Sequence, residues 1–396
     1  MDDAVEVWPV AERIAEQASV AGVDLLVFPE VTYPAYWLES AERYRQPDIE
    51  RTEAVLKRFS ELAEQHAFWL VAGFVEESND LLYNSAAVFD RRGKLIATAR
   101  KQFMWDCDRQ WFTPGNGSTV VATEFGRMGL QICADMRMPE ISATLVCEGA
   151  QFMVQPTAWV NTSQVRRTYR NIQPDFLIRA RAMEFGLPFI CCSKSGRESY
   201  SMEYVGQSQI VSSEGEVLDG AEVGGDALVV AEISATRAKT FTLDHPIVER
   251  LLSTKPPVVN EQFDRTCKVN LRQDADAIAA ALEENGARVA RLAAHDLNHF
   301  AAARCHALDG IQIVVARGRL TDDAPARARA AENCMFVIVA SDGGGQFVFD
   351  PRGSIIWRKV DKSDAIELDV RLAEVKAFTP TTDIWSQRRV ETYRLT

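Results

Sequence analysis

Apolar and polar residues form two kinds of pattern along the chain. Apolar residues three or four positions apart predict helices over residues 9–21 and 52–65, and a short apolar run at 25–28 predicts a buried strand. Two further helices are predicted at 140–149 and 174–186, and further strands at 68–75, 151–159 and 187–193. Hairpins are predicted where 83–90 pairs with 94–101, where 120–126 pairs with 129–135, and within 209–218. Because hairpins interrupt the alternation of strands and helices, we predict an α/β protein with mixed sheets rather than a simple doubly wound fold.

The second half of the chain repeats the pattern of the first. Four segments recur in the same order, and the offset between the copies falls from 161 to 148 to 138 residues. The pairs are GAQFMV at 149–154 with GIQIVV at 310–315, RARAMEFGLPFI at 179–190 with RARAAENCMFVI at 327–338, SQIVSSEGEVL at 208–218 with QFVFDPRGSII at 346–356, and LVVAEI at 228–233 with AIELDV at 365–370. The shared composition of αβ units is the alternative explanation, but the conserved order favours a shortened second copy.

The segment KPPVVN at 255–260 is typical of a linker. It divides the chain into a first domain, residues 1–255, and a shorter second domain, residues 260–396. Two to three domains are also what a length of 396 residues suggests.

Composition excludes several classes of function. With 47% hydrophobic and 25% charged residues the chain is globular, and its net charge of -12 argues against nucleic-acid binding and against a polybasic membrane surface. The longest apolar runs, such as 68–75, are too short to cross a bilayer, and no basic segment at the start indicates a signal peptide. Eight cysteines without CxxC spacing indicate neither a disulfide framework nor a zinc site. We therefore expect a cytoplasmic protein with no nucleic-acid or membrane partner.

Three residues that could carry chemistry stand at the ends of predicted strands. Glu30 follows the run at 25–28, Lys101 ends the strand at 94–101, and Cys133 lies near the end of the strand at 129–135. Each has an ordinary explanation by itself: a loop cap, a surface charge and a small buried side chain. Enzymes nevertheless place catalytic groups at such positions, where loops are held by a rigid scaffold.

Together with their flanking motifs, these residues resemble the nitrilase superfamily, the thiol-dependent carbon–nitrogen hydrolases. The resemblance rests on five segments that occur in one order: LLVFPE, YNSAAVFDRRGKLIATARK, FTPG, FGRMGLQICADMRMPE and GAQFMVQPTAW. It covers roughly residues 10–245. It implies an αββα four-layer sandwich, with a partial degenerate repeat of the same type in the second domain. It also implies that Glu30 is the general base, Lys101 the oxyanion-stabilising cation and Cys133 the nucleophile, with no metal or organic cofactor.

The chemistry agrees with these roles. A thiolate is the competent nucleophile, and a thiol must give up its proton to form one. None of the five histidines is placed to accept it, so a carboxylate such as Glu30 has to serve. Lys101 and the backbone N–H of Ala134 could hold the oxyanion that forms on the substrate. The expected substrate is a small amide or N-carbamoyl compound, cleaved through a thioester with release of ammonia.

The chain departs from the family pattern in two places. Where the family usually has a second glutamate ahead of FTPG, this chain has Asp108, which is one methylene shorter, and Asp106 is a nearby substitute. The family's first strand is also missing before the helix that begins near residue 9. We expect that either the native start lies upstream or that CKVNLR at 267–272 fills the gap, because a central strand's neighbours would otherwise lack backbone partners.

The residues after the nucleophile favour one branch of the family. Ala134 and Asp135 do not match the Trp-Glu pair of true nitrilases, so an amide or carbamoyl substrate is favoured over a nitrile. Trp159 and Asn161 could line the substrate pocket. The arginines within 166–170 could meet an anionic substrate, or form a solvated helix face.

A non-catalytic scaffold is the remaining alternative for the whole chain. Asp108 and the missing strand support it, whereas the intact Glu30, Lys101 and Cys133 argue against it. For the second domain we predict a catalytically dead copy, since Ala294 aligns with Cys133. Self-association is expected, either as a homo-oligomer or as an intrachain pseudo-dimer of the two copies.

Overall fold

A computed structural model describes residues 7–163, 169–198, 202–239, 243–254, 266–360, 363–373, 377–379 and 382–395. By their contacts these residues divide into two units. The first unit comprises the chain as far as residue 178 and residues 185–239. The second comprises residues 179–184 and the chain from residue 240 onward.

The first unit contains two mixed sheets. One has the strand order β1-β2-β3-β4, and the other has the order β12-β11-β8-β7-β6-β5, in which β6, β7 and β8 are parallel. β9 and β10 form a separate hairpin. The strands are β1 (Leu25–Val27), β2 (Trp69–Ser78), β3 (Leu81–Phe89), β4 (Leu95–Arg100), β5 (Thr119–Thr123), β6 (Gly126–Leu130), β7 (Phe152–Thr157), β8 (Phe189–Ser193), β9 (Ser195–Glu198), β10 (Met202–Val205), β11 (Gln209–Val211) and β12 (Val217–Gly220).

Helices cover the outer faces of these two sheets. The helices of the first unit are α1 (Val7–Val20), α2 (Ala41–Tyr44), α3 (Thr52–His66) and α4 (Pro139–Cys147), whereas nearly all of α5 (Ile178–Phe185) belongs to the second unit. α1 buries Trp8, Ala11, Ala15 and Ala18, whose spacing places them on one face, and α3 packs on β2. β2 faces β7 of the other sheet, and α4 packs on β6. The predicted mixed α/β class and four-layer arrangement are confirmed for this unit.

The second unit has its own mixed sheet and helices. A five-stranded sheet has the order β14-β15-β16-β17-β18, with the first three strands parallel, and β13 pairs with β19. Its elements are α6 (His245–Leu251), β13 (Thr266–Asn270), α7 (Ala275–Glu284), β14 (Val289–Ala293), α8 (Phe300–Leu308), β15 (Ile313–Arg317), α9 (Ala324–Asn333), β16 (Phe336–Ser341), β17 (Gly344–Phe349), β18 (Ile355–Arg358), β19 (Ala365–Asp369), β20 (Ala377–Thr379) and β21 (Thr382–Asp383).

The predicted domain boundary at 255–260 stays a prediction. The predicted linker at 255–260 lies outside the described residues, and α6 groups with the second unit because it packs against α8. The helix predicted at 174–186 is divided into a π-helical turn, Gln173–Leu177, followed by α5.

The structure also bears on the missing first strand. Residues 267–272 do not fill that gap, because Thr266–Asn270 pairs with β19 inside the second unit. Residues 1–6 lie outside the described part of the chain. In the first unit, β1 pairs on one side with β2, and a cavity of about 990 Å³ lies beside its other edge. The repeated segment 228–233 contributes to the lining of this cavity and forms no strand, whereas its counterpart at 365–370 contains β19.

No helix among the described residues is long and apolar enough to cross a membrane. No group of three or more His, Cys, Asp or Glu side chains in the same residues is arranged to hold a metal ion.

Candidate active site

Glu30 is held against the first sheet by a close approach of two backbone segments. It lies three residues after β1 and is fully buried. The facing residue on β2 is Gly73, where an added Cβ would come within 2.4 Å of the Pro29 carbonyl oxygen and 2.6 Å of the Glu30 Cα. Glycine at this position therefore allows the loop after β1 to lie on β2, and the loop fixes the Glu30 backbone.

Lys101 is the first residue after β4 and points into the same interior. Its backbone N–H donates to the Asn84 carbonyl oxygen at 2.8 Å, and its carbonyl oxygen accepts from Gly115 N–H at 2.7 Å. An added Cβ at Gly115 would lie 2.5 Å from the Arg100 carbonyl oxygen, so the glycine of FTPG lets that loop run against the end of β4.

The Lys101 ammonium lies between two buried carboxylates. Its Nζ is 2.7 Å from Glu30 Oε1 and 2.6 Å from Asp108 Oδ2, and all three side chains are fully buried. Burial lowers the pKa of Lys101, but the charges of Asp108 and Glu30 outweigh burial and raise it well above its usual value. Lys101 therefore remains a cation inside the protein.

Glu30 keeps one carboxylate oxygen available. Oε1 accepts from Lys101 and, at 2.7 Å, from Asn84 Nδ2. Oε2 is buried and has no hydrogen-bond partner among the residues that the structure describes. Burial raises the pKa of Glu30, and the charge of Asp108 raises it further, against the lowering effect of Lys101. This arrangement suits a carboxylate that accepts a proton during a reaction.

Asp108, and not Asp106, supplies the second carboxylate. Both lie in a 3-10 turn, Asp106–Gln110, which turns Asp108 inward and leaves Asp106 exposed. Asp108 Oδ1 accepts from the Tyr36 hydroxyl at 2.6 Å, and Oδ2 accepts from the Trp105 N–H at 2.8 Å as well as from Lys101. The shorter side chain therefore reaches Lys101.

Cys133 occupies a strained backbone position. It begins a 3-10 turn, Cys133–Arg137, and has a φ of 46°, in the left-handed region that residues with a side chain rarely adopt. The carboxylate of Asp135 holds the turn, because it accepts from Ile132 N–H and from the N–H groups of Gln102 and Phe103 directly after Lys101. Asp135 thus ties the turn at the cysteine to the loop at the lysine.

The Cys133 thiol lies in the electrostatic field of the same group. Burial, and after it the charge of Glu30, raise its pKa to about 12 against the lowering effects of Lys101, Thr157 and the Ala158 N–H. The resting sulfur is therefore a thiol, which needs a base when it reacts. The structure brings Glu30, Lys101 and Cys133 from three separate strand ends to one buried place, together with Asp108.

The remaining predicted residues have different surroundings. Ala134 is buried in the first turn of the 3-10 segment, where N–H groups lack partners within the helix. Trp159 is fully buried one residue beyond Ala158, and its indole N–H has no partner among the described residues. Asn161 instead bonds to Glu203 and to the N–H of Ser163 and Arg170, which are loop-shaping contacts. Residues 164–168 lie outside the described chain.

Sequence reasoning missed Tyr36, Asn84 and Gln173, which all contact this group. Tyr36 and Asn84 bond to the two carboxylates, and Gln173 Nε2 lies 3.9 Å from the Cys133 sulfur. Asn84 interrupts the apolar run of β3, and a polar residue in a buried strand was the one available signal.

Comparison with known proteins was made for the whole chain. Residues 2–241, more than half of its length, match the model of the carbon–nitrogen hydrolase family. The chain belongs to the carbon–nitrogen hydrolase family. This carbon–nitrogen hydrolase is 30% identical over 242 residues to a hydrolase of Schizosaccharomyces pombe, covering 58% of this chain and 72% of that protein. It is 27% identical over 260 residues to an omega-amidase of Saccharomyces cerevisiae, and the match covers 62% of this chain and 83% of that protein.

A solved structure has a similar fold. The crystal structure of an amidase from Nesterenkonia sp. matches with a TM-score of 0.53 at 24% identity, covering 59% of this chain and 86% of the amidase. At this identity the likeness concerns the fold alone. The carbon–nitrogen hydrolase assignment and the amidase-like fold therefore both apply to the part of the chain that carries Glu30, Lys101 and Cys133.

The Asp108→Asn variant is expected to lose activity by roughly 10²-fold, because the neutral amide no longer balances Lys101. Initial rates of ammonia release at saturating substrate measure the loss. Asp106→Asn is the matched control, since Asp106 is exposed in the same turn. If Asp108→Asn retains the wild-type rate, Asp108 has no part in the reaction.

Proposed function

We propose that this protein is a cysteine-dependent hydrolase of a non-peptide C–N bond in a small amide or N-carbamoyl compound. The observation that carries the proposal is the buried Glu30–Lys101–Asp108 chain acting on the thiol of Cys133. Burying an ammonium between two carboxylates costs desolvation free energy, so such a group indicates a functional role. The thiol of Cys133 nearby indicates that this role is catalysis. Membership of the family and likeness to amidases support the same reaction class.

In the proposed first half-reaction, the Cys133 sulfur attacks the carbonyl carbon of the substrate. The thiol proton passes to Glu30 Oε2, the C–S bond forms, and the electron pair of the C=O bond moves onto oxygen. Lys101 Nζ and the Ala134 N–H hold this oxyanion. The tetrahedral carbon then expels the nitrogen, which takes the proton from Glu30 and leaves as ammonia.

In the proposed second half-reaction, water attacks the thioester. Glu30 accepts a proton from the water, and the same oxyanion contacts apply. The C–S bond breaks, the sulfur regains the proton, and the acid product leaves. Asp108 holds Lys101 in place in both half-reactions. Trp159 lines the substrate pocket in this proposal and offers its indole N–H to the substrate, and no cofactor takes part.

For the second unit we propose a catalytically dead copy of the repeated part of the first. Equivalent elements support this: the 3-10 turns Cys133–Arg137 and Ala294–Asn298, and the helices α4 and α8, are all offset by the same 161 residues. Gln312 Oε1 accepts from Arg288 N–H in the second unit, as Gln151 Oε1 accepts from Arg127 N–H in the first.

The chemistry of the site is not repeated in that proposed copy. Ala294 stands where Cys133 would be, and the left-handed backbone of Cys133 has no counterpart there. Such a copy retains packing without a nucleophile. An intrachain pseudo-dimer or a homo-oligomer and a cytoplasmic location also remain proposals.

A substrate panel tests the proposed function. Purified protein is incubated with small aliphatic amides, dicarboxylic acid monoamides, N-carbamoyl amines and nitriles, and ammonia is quantified. We expect release from at least one amide or carbamoyl class and none from the nitriles. Release from nitriles alone would make the protein a nitrilase, and no release from any class would favour a non-catalytic scaffold.

The pH dependence of kcat/KM is expected to reflect Glu30. The base form is needed, so activity falls as pH drops through the pKa of Glu30, which burial raises above 4.5. Measurements from about pH 4 to about pH 9 should therefore show an acid limb above pH 4.5, with circular dichroism confirming that the protein stays folded. A rate that stays constant down to pH 4 would mean that Glu30 is not the base.

A further inference from the structure

A chain of buried amides leads to the nucleophile inside the first unit. Its members are Ser142 on α4, Gln131 directly after β6, Gln155 on β7, and Gln173 at the start of the π-helical turn. All four side chains are at least nine-tenths buried, and none of them belongs to the Glu30–Lys101–Asp108 group. Three glutamines in one interior are costly unless their amides are bonded to one another.

The bonds join these side chains in a single series. The Ser142 hydroxyl donates to Gln131 Oε1 at 2.8 Å, and Gln131 Nε2 donates to Gln155 Oε1 at 2.6 Å. Gln155 Nε2 donates to Gln173 Oε1 at 3.1 Å. The series ends at Gln173 Nε2, 3.9 Å from the Cys133 sulfur.

One backbone carbonyl fixes the direction of the whole series. Gln155 Nε2 also donates to the Cys133 carbonyl oxygen at 3.0 Å, and a carbonyl oxygen can only accept. The amide nitrogen of Gln155 must therefore face this oxygen, and the same nitrogen faces Gln173. Gln173 consequently presents Oε1 to Gln155, which leaves its NH₂ group toward the sulfur.

We propose that Gln173 donates a hydrogen bond to the Cys133 sulfur as the negative charge forms on it, and that Gln155 and Gln131 are positioning residues that hold this donor in place. The inference rests on the proposed function, since it assigns a role in the attack by Cys133. Aligned hydrogen bonds polarise one another, so the series strengthens the donor at its end. A π-helical turn at Gln173 fits this role, because such turns are frequent at functional sites.

The donor acts alongside the other groups at the sulfur. Lys101 is already shared between two carboxylates, so its positive charge is partly balanced before the thiolate forms. A neutral N–H donor stabilises the charge of the thiolate without adding a formal charge to the interior. Gln173 therefore makes the thiolate easier to form while leaving the ion-pair group unchanged.

The test is the alkylation rate of Cys133 in the full-length protein. Iodoacetamide is added at about pH 8, and mass spectrometry follows the peptide that contains Cys133, because Cys147 is exposed and also reacts. Well below its pKa, a thiol reacts in proportion to its thiolate fraction. Loss of the donor in Gln173→Leu is expected to slow alkylation roughly tenfold, equivalent to one pKa unit.

Two further variants sharpen the comparison. Gln173→Glu keeps the shape and the acceptor for Gln155 but turns an oxygen toward the sulfur, so it should slow alkylation at least as much. Gln209→Leu is the matched control, since Gln209 is a buried glutamine that bonds to the Pro174 carbonyl and not to the series. It should react at the wild-type rate.

The outcomes separate this inference from the proposed function. A tenfold slower alkylation in Gln173→Leu alone supports the donor, even if the substrate panel shows no hydrolysis and the proposed function fails. Wild-type alkylation in both Gln173 variants overturns the donor while hydrolysis stands. An equal slowing in Gln209→Leu also overturns it, because the effect would then come from general packing.

Discussion

Ammonia release from every substrate of the panel is expected to stop when Cys133 is replaced by alanine. Without the sulfur no thioester can form, and removal of a catalytic nucleophile lowers kcat by at least about 10⁴-fold. In the proposed second copy Ala294 stands where Cys133 would be, so we expect no second nucleophile there. The variant should fold, since alanine fits the space that the buried thiol leaves and places no larger group there.

The measurement compares ammonia release by wild type, Cys133→Ala and Cys267→Ala. Cys267 is also buried and lies on β13 of the second unit, so its loss controls for the removal of a buried thiol. Thermal unfolding checks that all three proteins are folded at the assay temperature. Hydrolysis that continues in Cys133→Ala would show that the reaction does not pass through this sulfur.

The second large effect concerns the stability of the second unit. Four charged side chains, Arg181, Glu184, Arg329 and Glu332, form a closed ring in its interior, each at most 1% exposed. Arg329 Nη1 lies 2.8 Å from Glu184 Oε1, and Arg329 Nε lies 2.9 Å from Glu332 Oε1. Each arginine therefore forms ion pairs with both glutamates of the ring.

Arg329→Met is expected to lower the free energy of unfolding by about 3–5 kcal/mol, because it leaves buried carboxylates with half of their cationic partners. Urea denaturation followed by circular dichroism measures the change. Arg317→Met is the control: its pairs with Asp276 and Asp342 are exposed, so the loss should stay within about 1 kcal/mol. Equal midpoints for the two variants would mean that the ring contributes little stability.

The pH dependence of this ring follows from Glu184. Burial raises its pKa, but Arg329 and Arg181 outweigh burial and lower the pKa from 4.5 to about 2. A lowered pKa stabilises the folded state fully above the unfolded value of 4.5, and this stabilisation is lost as the pH falls toward 2. As the pH falls from 4.5 toward 2, the difference in the free energy of unfolding between wild type and Arg329→Met should therefore become smaller.

By itself the sequence determined the fold class and indicated the candidate reacting groups. The periodicity of apolar residues is a local property of the sequence, so it can be read without the structure. It predicted the mixed sheets, and the predicted bounds of α1 and β1 lie within two residues of the observed ones. Glu30, Lys101 and Cys133 could be found because each stands at a strand end within a recognisable motif. Their roles remain predictions, but the structure places all three in one buried group.

Only the tertiary structure decided the points that depend on where side chains turn. Asp106 and Asp108 are equivalent candidates in sequence, and the 3-10 turn alone directs Asp108 to Lys101. Gln131 and Gln155 belong to different elements and carry no motif, since hydrogen bonds between distant residues leave no periodic trace.

The charged ring of the second unit could not be predicted from the sequence pattern either. Arg181 and Glu184, three residues apart on a helix, have the spacing of an ordinary solvent-exposed ion pair. Only the fold brings Arg329 and Glu332 to them and excludes water, because burial is a property of the assembled elements and not of any one segment. The sequence determined which groups the chain carries, and the tertiary structure decided which of them are buried together.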